Sequence, residues 1–279
     1  MTKILKNKVI IISDFINPTI PELMSMHGAR LVVNFDSKYS EDISYQNEFS
    51  NKIKSLGGEV YITKENISDF NCAKNIIDFA IDKFGSIDVV FCTKDFKQTK
   101  TLEAIKESDW DSVYSENLKS TFNIVRHAAP LLRKQKFGRI ITLSSSSGLI
   151  GASAMSSYAA TKSGVVGFTK VIAKDLGKYG VTSNTICYDD QNESKAISVK
   201  NKLKTNENIA SFATYLASDY SAPVNGQVFQ IEDGKISHFS LPRRNKTFLS
   251  SSVSQTFDID EIDSNIESIL MNKNKKLPR

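Results

Sequence analysis

The chain has 279 residues, 40% of them apolar and 24% charged, enough to bury one substantial core. Its formal charge of +5 (36 basic minus 31 acidic) is mild and scattered, which speaks against a nucleic-acid surface. Three cysteines (Cys72, Cys92, Cys187) lack disulfide or metal spacing, and no apolar run reaches the ~18 residues that span a bilayer, so a soluble intracellular protein is expected.

Val9-Ile-Ile-Ile12 is a short β-branched run and predicts a buried parallel strand. Between it and the next strand, Arg30 to Asn34, Pro18 and Pro21 leave room for a short helix from Pro21 to His27, closed by Gly28. The pattern then becomes regular. A helix is expected from Glu41 to Leu56, a strand from Glu59 to Thr63, a helix from Ser68 to Phe84 and a strand from Val89 to Cys92. A short helix at Thr101 to Glu107 precedes a long one that Ser108 would cap and that reaches Gln135. Phe137 to Ser144 is the next strand, and a helix from Ser156 to Gly177 follows. Val181 to Ile186 is a strand, the stretch to Asn206 is polar, Ile209 to Ala217 is helical, and Gln227 to Ile231 is the last strand. Strands alternating with helices imply a parallel sheet covered on both faces. Residues 1–236 are assigned to this domain and 237–279 to a polar linker plus a small amphipathic helix, Asp258 to Leu270.

One stretch carries most of the chemical potential. Strand Arg139 to Leu143 ends in four serines and Gly148, and the following helix bears Tyr158 and Lys162, four apart and hence on one face. A hydroxyl, a phenol and an ammonium can so meet at one point, which suits proton transfer at a carbonyl or alcohol oxygen. Asn117, inside a helical segment, is a mediocre helix former and invites a functional explanation. His27, His127 and His238 lack ligand spacing, and the serines have no Gly-x-Ser-x-Gly elbow.

The pattern Asn117-Leu-Lys-Ser-Thr-Phe, Gly138-Arg-Ile-Ile with its serines, Tyr158-Ala-Ala-Thr-Lys162 and Val181-Thr-Ser-Asn-Thr-Ile186 resembles a short-chain dehydrogenase/reductase. Leu31-Val-Val-Asn34, Arg133 to Arg139 and Val224 to Phe229 resemble one branch. That branch is the (3R)-3-hydroxyacyl-CoA dehydrogenase domains of fungal peroxisomal multifunctional β-oxidation enzymes. The resemblance implies a doubly wound Rossmann-type α/β sheet of about seven parallel strands, in a single domain with a C-terminal extension. It implies Tyr158 as acid/base with its phenol pKa lowered from about 10 by a nearby ammonium. It implies Lys162 on the ribose of NAD or NADP, Ser145 on the substrate oxygen, and Asn117 positioning a relay water. An acyl-CoA-like or other small-molecule substrate, a homodimer or a pairing with a related subunit, and a peroxisomal location (cytoplasmic otherwise) follow from the same resemblance.

The cofactor half departs from that pattern. A dinucleotide loop needs glycines so that the backbone can approach the pyrophosphate, whereas Ser13-Asp-Phe-Ile-Asn-Pro-Thr-Ile-Pro21 has none and carries two prolines. The family's Asn-Asn-Ala-Gly is here Cys92-Thr-Lys-Asp95, and Cys187-Tyr-Asp189 replaces the usual nicotinamide proline. Phe35 stands at the ribose-binding acid's place, with Asp36 next to it as the candidate for that role. Two readings stand: an oxidoreductase interconverting a 3-hydroxyacyl thioester or similar alcohol with its ketone, and a non-catalytic descendant serving as a structural or binding module.

Overall fold

Runs of β-branched residues make the sheet. In the computed structural model, which describes residues 2–35, 42–188, 199–232, 234–240 and 259–270, the chain begins with β1 (Val9–Ile12), α1 (Thr19–Met26), β2 (Arg30–Asn34) and α2 (Ile43–Ser55). It continues through β3 (Glu59–Thr63), α3 (Phe70–Phe84), β4 (Val89–Cys92) and α4 (Glu107–Tyr114). A π-helical turn, Ser115–Lys119, joins α4 to α5 (Ser120–Gln135). Then come β5 (Gly138–Ser145), α6 (Ser146–Ile150), α7 (Ser156–Gly177), β6 (Val181–Tyr188), α8 (Val199–Ala217), β7 (Val228–Glu232) and β8 (Lys235–Phe239). The described strands form one sheet in the order β3-β2-β1-β4-β5-β6-β7-β8, parallel except for β8, which pairs antiparallel with β7.

Alternation along each strand feeds two cores. Ile10, Ile12, Leu31 and Val33 pack with Met24 of α1, Phe49 of α2 and Ala213 of α8. Ile11 and Val32, one residue out of phase, pack with Ile76 of α3, Ile124 of α5 and Ile172 of α7 on the other face. This is the doubly wound α/β arrangement that the alternation implied.

Several element assignments need correction. Helix α1 starts at Thr19, not Pro21, because a proline in the first turn lacks only an amide that would have no helical partner anyway. The N-cap falls at Lys106 rather than Ser108, since the Asp109 carboxylate reaches back to accept the Lys106 N–H (3.0 Å). The helix expected from Ile209 to Ala217 begins earlier, at Val199, inside the stretch read as polar. Strand β8, which follows Gly234 (φ +68°), was not foreseen and runs past residue 236 to Phe239.

Asp36, the segment 189–198 and the linker 241–258 lie outside the described residues. The C-terminal unit, Ser240–Arg279, contains helix α9 (Ile259–Leu270), the amphipathic helix of the sequence pattern.

Candidate functional site

Strands β2 and β3 run off one side of β1 while β4 to β8 lie on the other, so the strand order reverses between β1 and β4. In open α/β sheets that reversal leaves a crevice at the carboxyl ends of the strands, where ligands bind. Among the described predicted residues, Tyr158 and Lys162 meet groups at the carboxyl ends of β4, β5 and β6 at this edge.

Tyr158 and Lys162 lie on the first turns of α7 and are fully buried. Their helix is set close to β5 and α6 by small groups. Thr142 bonds both Thr169 of α7 (2.8 Å) and Thr185 of β6 (2.9 Å), and Ser144 Oγ donates to the Lys162 carbonyl (2.9 Å). Gly148 lies so near that a Cβ there would fall 2.7 Å from Lys162 Cβ.

The groups around Tyr158 and Lys162 come from this chain. Tyr158 donates its O–H to Asp95 Oδ1 (2.8 Å), and Lys162 Nζ lies 2.9 Å from the same oxygen. Tyr188, at the end of β6, donates to Asp95 Oδ2, and its hydroxyl is 3.1 Å from that of Tyr158. Lys162 Nζ also donates to the Lys94 carbonyl (2.9 Å) and lies 3.5 Å from the Leu143 carbonyl. Three oxygens thus match the three donors of its ammonium. Burial pushes the Asp95 carboxyl upward, but the Lys162 ammonium and the hydrogen bonds from Tyr188, Lys162 and Tyr158 outweigh it and hold it below the usual carboxylate value. Burial first, then the Asp95 charge, pushes the Tyr188 phenol well above 10.

Ser145 is buried, its Oγ accepts the Gly148 N–H (3.2 Å), and it lies opposite Tyr188 in the β5–β6 register. Asn117 occupies the π-helical turn. Its Nδ2 donates to the Phe96 and Val113 carbonyls (2.8 and 3.1 Å) and its Oδ1 accepts the Phe96 N–H (2.9 Å). Its side chain therefore fixes the backbone just after Asp95. The fold brings Tyr158 and Lys162 together through Asp95, with Ser145 beside Tyr188 and Asn117 behind the loop.

Asp95, Tyr188 and Thr93 are the residues that sequence reasoning did not assign to the site. The signal was two charged residues, Lys94 and Asp95, separated only by Thr93 from the end of a buried strand, since charges placed there must find partners.

Members of the short-chain dehydrogenase family use NAD or NADP, and the described residues of this crevice do not fit such a dinucleotide. The Asp14 amide, the second after β1, donates to Thr93 Oγ1 (2.9 Å), which returns a bond to the Asp14 carbonyl (2.6 Å). The Thr93 amide donates to Ser13 Oγ (3.0 Å). These bonds tie β1 to β4 across the reversal, where a glycine loop would leave its amides to a diphosphate. Lys94, 5% exposed, has its ammonium 2.9 Å from Glu116 and 3.8 Å from Asp14. At the β2 end, Phe15 stacks on Phe35 (4.4 Å, 9°) and meets Phe49 edge-on (5.2 Å), so an aromatic cluster, not an acidic side chain, stands where the family pattern has its ribose-binding acid. Among the described residues no group of His, Cys, Asp and Glu could hold a metal.

Comparison with known proteins places the chain. The short chain dehydrogenase family pattern matches residues 21–215. The 3-oxoacyl-[acyl-carrier-protein] reductase of Staphylococcus aureus is 31% identical over 196 residues, 66% of this chain and 80% of that protein. The peroxisomal hydratase-dehydrogenase-epimerase of Neurospora crassa is 35% identical over 136 residues, 49% of this chain but 15% of that protein. A crystal structure of a short chain dehydrogenase from Mycobacterium avium superposes with a TM-score of 0.84 at 26% identity, covering 96% of each chain. The chain belongs to the short-chain dehydrogenase family, and its relatives include a 3-oxoacyl-[acyl-carrier-protein] reductase and a hydratase-dehydrogenase-epimerase. No helix among the described residues is long and apolar enough to cross a membrane.

Proposed function

We infer that this chain is a family member that has given up dinucleotide-dependent hydride transfer and serves as a folded structural or binding subunit, paired with a second copy or a related subunit. One observation carries the reading: the Asp95 carboxylate bridges Tyr158 and Lys162 at 2.8 and 2.9 Å. The phenol and ammonium that would serve a ribose and a substrate oxygen are bonded to a carboxylate of the same chain. The Thr93 ties and the Phe15–Phe35 stack support it at the other end of the crevice.

The second reading keeps the family reaction, interconversion of a 3-hydroxyacyl thioester and its ketone with NAD or NADP. It is favoured by the presence of Asn117, Ser145, Tyr158 and Lys162 together and by relatives named as a 3-oxoacyl reductase and a hydratase-dehydrogenase-epimerase. Titration with NADH and NADPH, followed by nicotinamide fluorescence or heat, separates the two. The subunit reading expects no saturable binding below millimolar. Saturable binding at micromolar concentration, with turnover abolished by Tyr158→Phe, would establish the dehydrogenase instead.

A further inference from the structure

A lysine that is 0% exposed keeps its charge only if the chain supplies partners, because an isolated ammonium in a low-dielectric interior is strongly disfavoured. Lys162 has such partners, and they come from separate parts of the fold. Asp95 and the Lys94 carbonyl belong to the segment after β4, and the Leu143 carbonyl to β5. Tyr158 lies one turn earlier on α7, and Tyr188 ends β6. Asp95, its side chain 22% exposed, is in turn held by three donors: Lys162, Tyr158 and Tyr188. Tyr188 and Asp95 stand where the family pattern has other residue types, so the side chains that Tyr158 and Lys162 engage differ from that pattern.

We propose that Asp95, Tyr158, Lys162 and Tyr188 form an ionic clamp around the buried Lys162 that locks the carboxyl ends of β4 and β6 to α7, and that Tyr158 and Lys162 persist as parts of that clamp. This rests on the reading that the chain does not transfer hydride. A tyrosine and a lysine kept only for catalysis would be dispensable to stability. As members of a clamp they are not, and the cost of losing either side depends on whether the other is present. An unpaired buried charge costs more than an absent pair.

The test is a double-mutant cycle on the full chain by urea unfolding, using D95N, K162M and D95N/K162M. Each single substitution is expected to lower the folding equilibrium constant by about a hundredfold or more. The double substitution should lose at least about tenfold less than the product of the two. Where K162M alone fails to fold, adding D95N should restore cooperative unfolding, because the stranded carboxylate is then gone. Losses that simply multiply, single variants within about twofold of the parent, or a D95N that rescues nothing would overturn the clamp. NADH titration of the unmodified chain keeps the two claims apart. Saturable binding refutes the non-catalytic reading whatever the cycle gives, whereas absent coupling without NADH binding refutes the clamp alone.

Discussion

A carboxylate beside a buried ammonium gains from the charge, and three hydrogen bonds to its charged form add to that gain; at Asp95 both outweigh burial. Because the folded carboxyl titrates below its unfolded value of about 3.9, its contribution is present above that pH and disappears as the pH falls through the folded value. Tyr188 works at the other end. Its raised folded pKa gives stability that is present below about pH 10 and fades as the pH rises further. Urea midpoints measured across the pH range should therefore hold a plateau between these limits and fall on both sides. In Asp95→Asn the plateau should lie lower and the acid decline should be shallower. An identical acid limb in the variant would mean that other carboxylates carry it. The charges after β4 were visible in the residues alone, but their partners were not. Asp95 meets Tyr158 and Tyr188 across 63 and 93 positions, and no local pattern announces such a pairing.

At the scale of elements, legibility follows how local the cause is. The strands β1 and β4 lie where their apolar runs put them, because a strand covered on both faces must be apolar throughout, and β2 and the edge strand β3 lie at the expected positions beside them. The first turns of α1 and α4 moved because a proline ring and an aspartate carboxylate act on single backbone amides, finer than periodicity resolves. Strand β8 is short, and Lys235 to His238 are exposed, so its sequence carries no burial signal. Asn117, a mediocre helix former for which a functional explanation was expected, occupies the π-helical turn. Two glycines of the serine-rich stretch and α7 give a matched test of how tightly the site is set. A Cβ at Gly148 would meet the Lys162 backbone at 2.9 Å and Ser163 N at 3.0 Å, contacts that only a backbone shift relieves. Gly148→Ala should destabilise the fold by about 1–3 kcal/mol. Gly167, in α7 with nothing within 4 Å of its would-be Cβ, should gain up to about 1 kcal/mol on Gly167→Ala from helix propensity alone. Thermal melts of the two variants should move in opposite directions. A neutral Gly148→Ala would mean that α6 and α7 have slack between them.

At the scale of the whole molecule, an aromatic stripe among the described residues lies uncovered on the helices that flank the sheet. Phe122 of α5 lies between Phe70 of α3 (6.4 Å) and Phe168 of α7 (6.0 Å), and Phe70 rests on His127 (4.2 Å). Phe70, Phe122 and, on α7, Val171 are 41%, 41% and 54% exposed. Apolar side chains grouped on neighbouring helices, unlike scattered ones, mark a contact surface. Two copies related by a twofold axis could lay this patch against itself, since each copy presents the same groups. The chain should then scatter light at micromolar concentration with twice its mass of 31.1 kDa. Phe122→Asp together with Val171→Asp should return it to the single-chain mass while leaving the unfolding transition cooperative, because both side chains point outward and leave the cores intact. A monomer mass for the unmodified chain would leave the stripe for a related subunit, and a dimer indifferent to both substitutions would place the interface elsewhere. The outcome bears on the clamp too. The stripe and the clamp both draw on α7, so a partner seated on Phe168 and Val171 would hold from outside the helix that Lys162 and Asp95 hold from within.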